Sequence, residues 1–201
     1  MIRSEPDAPT GAVLLLHGGR ADGLRAPPVL NLPALRLRPF GTAVLSALPE
    51  ESVLLAEVRY RHRGWNGARA DAVRDTRAAL AGLRAHLGDV PVVLLGHSMG
   101  GRAALRAAGD PGVRGVVALA PWCPPGEPVG HLRDRRIYLL HDERDRVTSA
   151  DDSWSFVRRA REAGADAVGI PMRTGGHSML RGAQVWQELA ARLVAGLLTR
   201  D

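Results

Sequence analysis

Short apolar runs alternate along the chain with longer segments in which apolar residues recur at helical spacing. The apolar runs have the length of strands and lack the alternation of a half-exposed strand, which is typical of strands covered on both faces. We therefore predict strands at residues 12–17, 52–60, 92–95, 115–119, 137–141 and 167–172, and helices at residues 39–48, 70–87, 102–108, 150–163 and 183–198.

Local signals support some of these elements and leave one segment open. Residues 70–87 carry an apolar stripe opposite their arginines, and Ser149 precedes residues 150–163 as a plausible helix cap. Residues 20–38 show no clear period and contain three prolines. A segment of this length predicts either a lid over a binding site or an ordinary surface loop.

The alternation of strands and helices predicts the fold class. It indicates a mainly parallel central sheet with helices on both faces, in three layers, and the length fits a single domain over residues 1–201. Ligands of such sheets bind at the carboxyl ends of the strands. Residues 120–135 are too few for a helical cap domain between two strands.

One motif lies at such a strand end. Residues 96–100 read Gly-His-Ser-Met-Gly, which is the G-x-S-x-G pattern, between an apolar strand and a helix. A serine on such a sharp turn is exposed, and the flanking glycines allow strand and helix to pass closely. The context makes Ser98 a candidate nucleophile.

A serine hydroxyl needs a base, and the base needs a carboxylate to orient it. His177 follows the strand at residues 167–172 after a short spacer, and three acids follow the strand before it: Asp142, Glu143 and Asp145. Serine, acid and histidine in that order along the chain is the order of the α/β-hydrolase fold.

The sequence is similar to the α/β-hydrolase family over nearly its whole length, most of all to small capless esterases and the dienelactone-hydrolase-like branch. The resemblance rests on residues 17–19 (His-Gly-Gly), the turn at residues 96–100, residues 141–147, and Gly176 with His177. Residues 141–147 resemble the family's H-G-x-x-D-x-V loop, which implies that Asp145 is the acid. Asp142 stands where the family usually has glycine, so Asp142 and Glu143 remain rival acids.

Acyl transfer also needs hydrogen-bond donors for the developing oxyanion. We expect the backbone N–H groups of Met99 and Gly19 to supply them, with Arg20 as an alternative second donor. Trp122 and Trp65 are candidate walls of a substrate pocket, with ordinary packing as the alternative.

The remaining histidines are expected to be structural or exposed. His97 should point away from the pocket into a packed or hydrogen-bonded position, and His17 should shape its loop. His141 ends a strand and is expected to be structural. Surface positions are expected for His62, His86 and His131.

Charge and cysteine content disfavour other classes. All 27 basic residues are arginine and the net charge is +6, but the basic clusters are scattered, interrupted by acids and lack interleaved aromatic residues. This pattern disfavours nucleic-acid binding.

Cys123 is the only cysteine, no apolar stretch is long enough to span a membrane, and no metal-ligand spacing appears. We expect a cytoplasmic protein without metal or cofactor.

These observations predict a serine hydrolase whose partner is a small-molecule acyl substrate: a carboxylic ester, a lactone or a thioester. The alternative is a non-catalytic small-molecule binding protein on the same fold, because fold alone does not establish turnover. A nucleic-acid-binding protein is a second alternative. The sequence leaves the oligomeric state open.

Overall fold

The computed structural model describes residues 1–48 and 53–199. Its strands are β1 (Ile2–Ser4), β2 (Gly11–Leu16), β3 (Val53–Glu57), β4 (Val92–His97), β5 (Val113–Leu119), β6 (Arg136–Asp142) and β7 (Asp166–Met172). Its α-helices are α1 (Leu32–Ala47), α2 (Asp71–Leu87), α3 (Met99–Ala107), α4 (Ala150–Glu162) and α5 (Ala183–Thr199). Ser52, the first residue of the strand predicted at residues 52–60, lies outside the described residues.

The strands form one seven-stranded sheet in the order β1-β3-β2-β4-β5-β6-β7. All neighbouring strands are parallel except β1, which pairs antiparallel with β3 at the edge. The mainly parallel sheet confirms the fold expected from the sequence. Strand β1 was not predicted, because three residues at a sheet edge carry no recognisable apolar pattern.

Helices cover both faces of the sheet. Alternate residues of each central strand point to opposite faces, so Leu14 of β2 belongs to the core cluster that includes residues of α2, α3 and α4, whereas Leu15 belongs to the cluster that includes residues of α1 and α5. The three predicted layers are therefore confirmed. Residues 120–135, all of which are described, contain only the 3-10 helix Gly130–Leu132 and no cap domain.

Helix α1 corrects the prediction for residues 20–48. It begins at Leu32, seven residues before the predicted start, and includes Pro39 in its interior. Pro33, rather than Pro39, occupies the first turn, where the missing N–H costs little. The segment without regular structure that could form a lid is thus shorter than predicted, because residues 32–38 are the beginning of α1.

Other local signals are confirmed. The apolar stripe of α2 is buried at Val73, Leu80 and Leu83. The Ser149 hydroxyl accepts a hydrogen bond from the Asp152 N–H at 3.1 Å and caps α4. Two acidic residues in the first turn of α4 complement the positive end of the helix dipole.

Two glycines allow α3 to lie directly against the sheet. A Cβ added to Gly100 would lie 2.1 Å from the carbonyl oxygen of Leu16, and a Cβ on Gly96 would lie 2.4 Å from the carbonyl oxygen of Gly100. Backbone atoms cannot move aside as a flexible side chain can. The close passage of strand and helix expected from the sequence is therefore confirmed.

This close contact predicts that Gly100→Ala destabilises the protein, by about 1–3 kcal/mol or more through overpacking. Gly82→Ala is the matched control, because Gly82 lies within α2 and a Cβ there meets nothing within 4 Å. The control should raise the free energy of unfolding by about 0.5–1 kcal/mol. Urea unfolding measures both variants, and equal stabilities for the two would contradict the prediction.

Candidate active site

The carboxyl ends of β2, β4, β6 and β7 lie at one edge of the sheet, because these strands are parallel. Each strand is followed by a loop that carries one of the predicted site residues. Gly19 follows β2, Ser98 follows β4, Asp145 follows β6 and His177 follows β7. The topology thus explains how residues distant in sequence meet.

Ser98 lies on a strained turn between β4 and α3. Its φ of 55° and ψ of −119° are unusual for a residue with a side chain, and the surrounding hydrogen bonds maintain this conformation. The Ser98 N–H donates to the carbonyl oxygen of Leu119, and the Ser98 carbonyl accepts from the N–H groups of Arg102 and Trp122. The turn therefore fixes the backbone that carries Oγ.

The structure brings Ser98, His177 and Asp145 into one chain of hydrogen bonds. His177 Nε2 lies 3.0 Å from Ser98 Oγ, and His177 Nδ1 lies 2.8 Å from Asp145 Oδ2. Because the carboxylate can only accept, Nδ1 carries the proton and Nε2 is free to accept from the serine hydroxyl. This is the tautomer that a general base requires.

The Asp145 carboxylate is buried and accepts several hydrogen bonds. Oδ1 accepts from the backbone N–H groups of Val147 and Thr148, at 2.7 and 3.1 Å. Burial alone would raise the pKa of this carboxyl, but hydrogen bonds from His141, His177 and the two backbone amides outweigh it. They hold the pKa of Asp145 well below its usual range, so the carboxylate stays ionised.

The two rival acids lie elsewhere. Asp142 Oδ2 accepts from the backbone N–H of Gly176 at 2.7 Å rather than from an imidazole. Glu143 is exposed to solvent. Of the three acids, only Asp145 is hydrogen-bonded to the His177 ring.

Two further side chains contact Asp145, and neither of them was assigned to the site from the sequence. His141 Nε2 lies 3.2 Å from Asp145 Oδ2, and the Thr148 hydroxyl donates to the same oxygen at 2.9 Å. The fully buried His141 ring also accepts from the Ser153 hydroxyl at its Nδ1. His141 is structural, as expected, but its contact with Asp145 was missed. The sequence feature that could have indicated this contact is the position of His141 four residues before Asp145.

The loop after β2 lies beside the serine. A Cβ added to Gly18 would lie 3.4 Å from Ser98 Cβ. The backbone N–H of Arg20, the alternative oxyanion donor, already donates to the carbonyl oxygen of Arg63. The candidate oxyanion donors therefore remain the backbone N–H groups of Gly19 and Met99. Met99 is the first residue of α3.

His17 shapes this loop as expected. Its Nδ1–H donates to the carbonyl oxygen of Gly18 at 2.7 Å, and its Nε2 accepts from the side-chain amide of Asn31 at 3.1 Å. Asn31 directly precedes α1. The contact therefore ties the start of α1 to the loop beside the serine.

The two tryptophans proposed as pocket walls pack around a cation. The guanidinium carbon of Arg102 lies 3.8 Å from the centre of the Trp65 ring and 4.4 Å from that of Trp122. Arg102 also donates to the buried carboxylate of Glu127 at 2.9–3.0 Å. Trp65 is 3 % exposed, so the structure corrects its prediction as a pocket wall, whereas Trp122 is half-buried.

His97 is buried behind His177, which matches the hydrogen-bonded role expected for it. Its Nε2–H donates to the carbonyl oxygen of His177 at 2.9 Å, and the two rings lie 4.9 Å apart between centres. Burial, followed by repulsion from the charge of His177, lowers the pKa of His97 to about 3. His97 is therefore neutral near pH 7.

Comparison with known families decides the assignment. A model described as the alpha/beta hydrolase family matches residues 13–201. The chain belongs to this family. The mainly parallel seven-stranded sheet with helices on both faces matches the alpha/beta hydrolase fold.

Solved structures share the fold of this alpha/beta hydrolase. An alpha-beta serine hydrolase homologue from Coxiella burnetii has a TM-score of 0.67 at 17% identity, covering 97% of this chain and 90% of that one. Esterase PE8 has a TM-score of 0.72 at 19% identity, covering 96% and 97%. A serine hydrolase without lid from Xanthomonas campestris has a TM-score of 0.64 at 16% identity, covering 99% and 87%. No curated protein matches the sequence significantly.

No helix in the described part of this alpha/beta hydrolase combines the length and apolar character needed to cross a membrane.

The neutral state of His97 predicts a pH dependence of stability. The unfolded chain protonates His97 below about pH 6.5, whereas the folded protein does so only near pH 3. Because the unfolded state binds the proton first, the free energy of unfolding should fall from about pH 6.5 toward 3, by up to about 1.4 kcal/mol per pH unit from this group. His17, whose pKa is also lowered by burial, adds to the trend.

We expect His97→Gln to weaken this pH dependence, measured by urea unfolding across the same range. His86→Gln is the control, because the His86 side chain is half exposed. The assignment of His97 as neutral would be wrong if both variants kept the pH dependence of the wild type.

Proposed function

We propose that this alpha/beta hydrolase is a serine hydrolase acting on carboxylic esters, lactones or thioesters through an acyl-enzyme intermediate. The observation that carries the proposal is the unbroken hydrogen-bond chain from Ser98 Oγ through His177 to Asp145. The esterase and serine hydrolase among its structural neighbours support the same reaction class. A cytoplasmic location stays a prediction.

The first half of the reaction forms the acyl-enzyme. Ser98 Oγ attacks the substrate carbonyl carbon while its proton moves to His177 Nε2. The Asp145 carboxylate stabilises the resulting imidazolium, and the N–H groups of Gly19 and Met99 donate to the oxyanion. The bond from the carbonyl carbon to the leaving oxygen or sulfur then breaks, and His177 returns its proton to the leaving group.

Water completes the cycle. His177 Nε2 accepts a proton from a water molecule as its oxygen attacks the acyl carbon, which forms a second oxyanion in the same place. The bond to Ser98 Oγ breaks, the serine regains the proton, and the carboxylic acid leaves. For a lactone, the alcohol and the acid remain parts of one molecule.

Ser98→Ala should lower kcat by at least about 10³-fold and abolish labelling by a fluorophosphonate probe, because no nucleophile remains. Ser46→Ala is the matched control, since Ser46 is exposed on α1. The assay uses p-nitrophenyl esters of graded chain length, lactones and acyl thioesters. A folded wild type that never labels would exclude a serine hydrolase and favour a non-catalytic binding protein.

A second test concerns the acid. Asp145→Asn should lower kcat by about 10³- to 10⁴-fold, because the amide no longer favours the productive tautomer of His177 or stabilises its charged form. Glu143→Gln should change kcat by less than about twofold, since that side chain is exposed. A larger loss in Glu143→Gln than in Asp145→Asn would reverse the assignment of the acid.

A further inference from the structure

The catalytic histidine proposed above lies on an irregular segment. Strand β7 ends at Met172 and α5 begins at Ala183, so His177 belongs to neither element. The two residues before it, Gly175 and Gly176, have φ values of 126° and 53°. Because glycine backbone has more conformational freedom than that of other residues, contacts from the surrounding structure must fix these values. A displacement of about 1 Å in a reacting group is enough to cost about 10²-fold in rate. The geometry of His177 therefore needs an external support.

Asp142 supplies a support on the amino side of His177. It is the last residue of β6 and is 3 % exposed. Its Oδ2 accepts from the Gly176 N–H at 2.7 Å, while its Oδ1 accepts from the Arg144 N–H at 2.9 Å. A carboxylate accepting from an amide makes a charge-assisted hydrogen bond, which is stronger than a neutral one. The glycine expected at this position from the family resemblance has no side chain to make it.

His97 supplies a support on the carboxyl side. It is the last residue of β4 and is 2 % exposed. Its Nε2–H donates to the His177 carbonyl oxygen, which assigns the ring to the Nε2–H tautomer. Its Nδ1 has no hydrogen-bond partner among the described residues. Within the part of the chain that the structure describes, the His97 side chain therefore makes a hydrogen bond to His177 alone.

We infer that Asp142 and His97 are positioning residues, which hold the backbone on both sides of His177 and so fix its ring against Ser98. The two supports come from the ends of β6 and β4, the strands that also carry the acid and the nucleophile. The histidine is thus located relative to both of its partners. This inference rests on the proposed serine hydrolase activity.

Asp142→Gly, which installs the family's usual residue, should lower kcat by about 10- to 100-fold with KM within about twofold. Asp142→Asn retains an acceptor for the Gly176 N–H and should stay within about fivefold of the wild type. Glu143→Gly adds a glycine to the same loop at an exposed position and should leave kcat unchanged. A folded Asp142→Gly variant with wild-type kcat, or equal losses in the Gly and Asn variants, would overturn the inference.

A double-mutant cycle tests whether Asp142 acts through His177. In a His177→Ala background, measured on an activated p-nitrophenyl ester, Asp142→Gly should cause less than about a twofold further loss. If Asp142 supported the site as a whole, Asp142→Gly would instead lower kcat in this background by the same factor as in the wild type. That outcome would remove Asp142 from the role of positioning His177.

His97 provides an independent pair of variants. His97→Gln keeps an N–H donor near the position of Nε2, whereas His97→Leu keeps the bulk and removes the donor. We expect the Leu variant to lose about 10-fold or more in kcat and the Gln variant to recover most of it. A Leu variant as active as the Gln variant would contradict the assigned role.

Hydrogen exchange at the Gly176 amide tests the support without any activity. The amide should exchange about 10-fold or more faster in Asp142→Gly than in the wild type or Glu143→Gly, because its acceptor is lost. Unchanged exchange would refute the inference even if the enzyme is active. A wild type that exchanges slowly but hydrolyses no ester, lactone or thioester would instead refute the proposed function and leave the support intact.

Discussion

The site depends on the direct packing of the α3 backbone against the end of β2. At Gly100 no side chain fits between them, because the Leu16 carbonyl oxygen occupies the place that a Cβ would need. This contact sets the distance between the loop after β2 and the turn that carries Ser98. It also directs the N-terminus of α3, with its unsatisfied N–H groups, toward the place where negative charge would develop during acyl transfer.

A second constraint is electrostatic. Asp145 is a buried anion, and burial would favour its protonated form if too few groups donated hydrogen bonds to the carboxylate. Four neighbouring residues supply hydrogen bonds, including the hydroxyl of Thr148 and the ring of His141. The carboxylate therefore remains charged although its side chain is fully buried, and its effect on the His177 ring is stronger there than it would be in solvent.

Sequence patterns predicted what depends on local order along the chain. Apolar runs located the central strands, and the resemblance of residues 141–147 to the family's acid loop favoured Asp145 but left its two acidic neighbours open. The prediction failed where the outcome depends on which neighbour a residue meets in space. Trp65 could not be placed without knowing that Arg102 stacks on it, and the start of α1 could not be placed because two prolines competed for the first turn. Likewise, the hydrogen bond between His141 and Asp145 depends on the conformation of the loop that joins them.

The stacking of Arg102 gives one arginine of this lysine-free chain a role that lysine could not fill. A flat, delocalised cation can lie over the Trp65 ring and against the Trp122 ring while its edge donates two hydrogen bonds to the Glu127 carboxylate. An ammonium group is compact and strongly hydrated and has no planar edge from which to donate in this way. At this position, therefore, conservation of charge alone would not conserve the structure, and the preference for arginine has a geometric cause independent of overall composition.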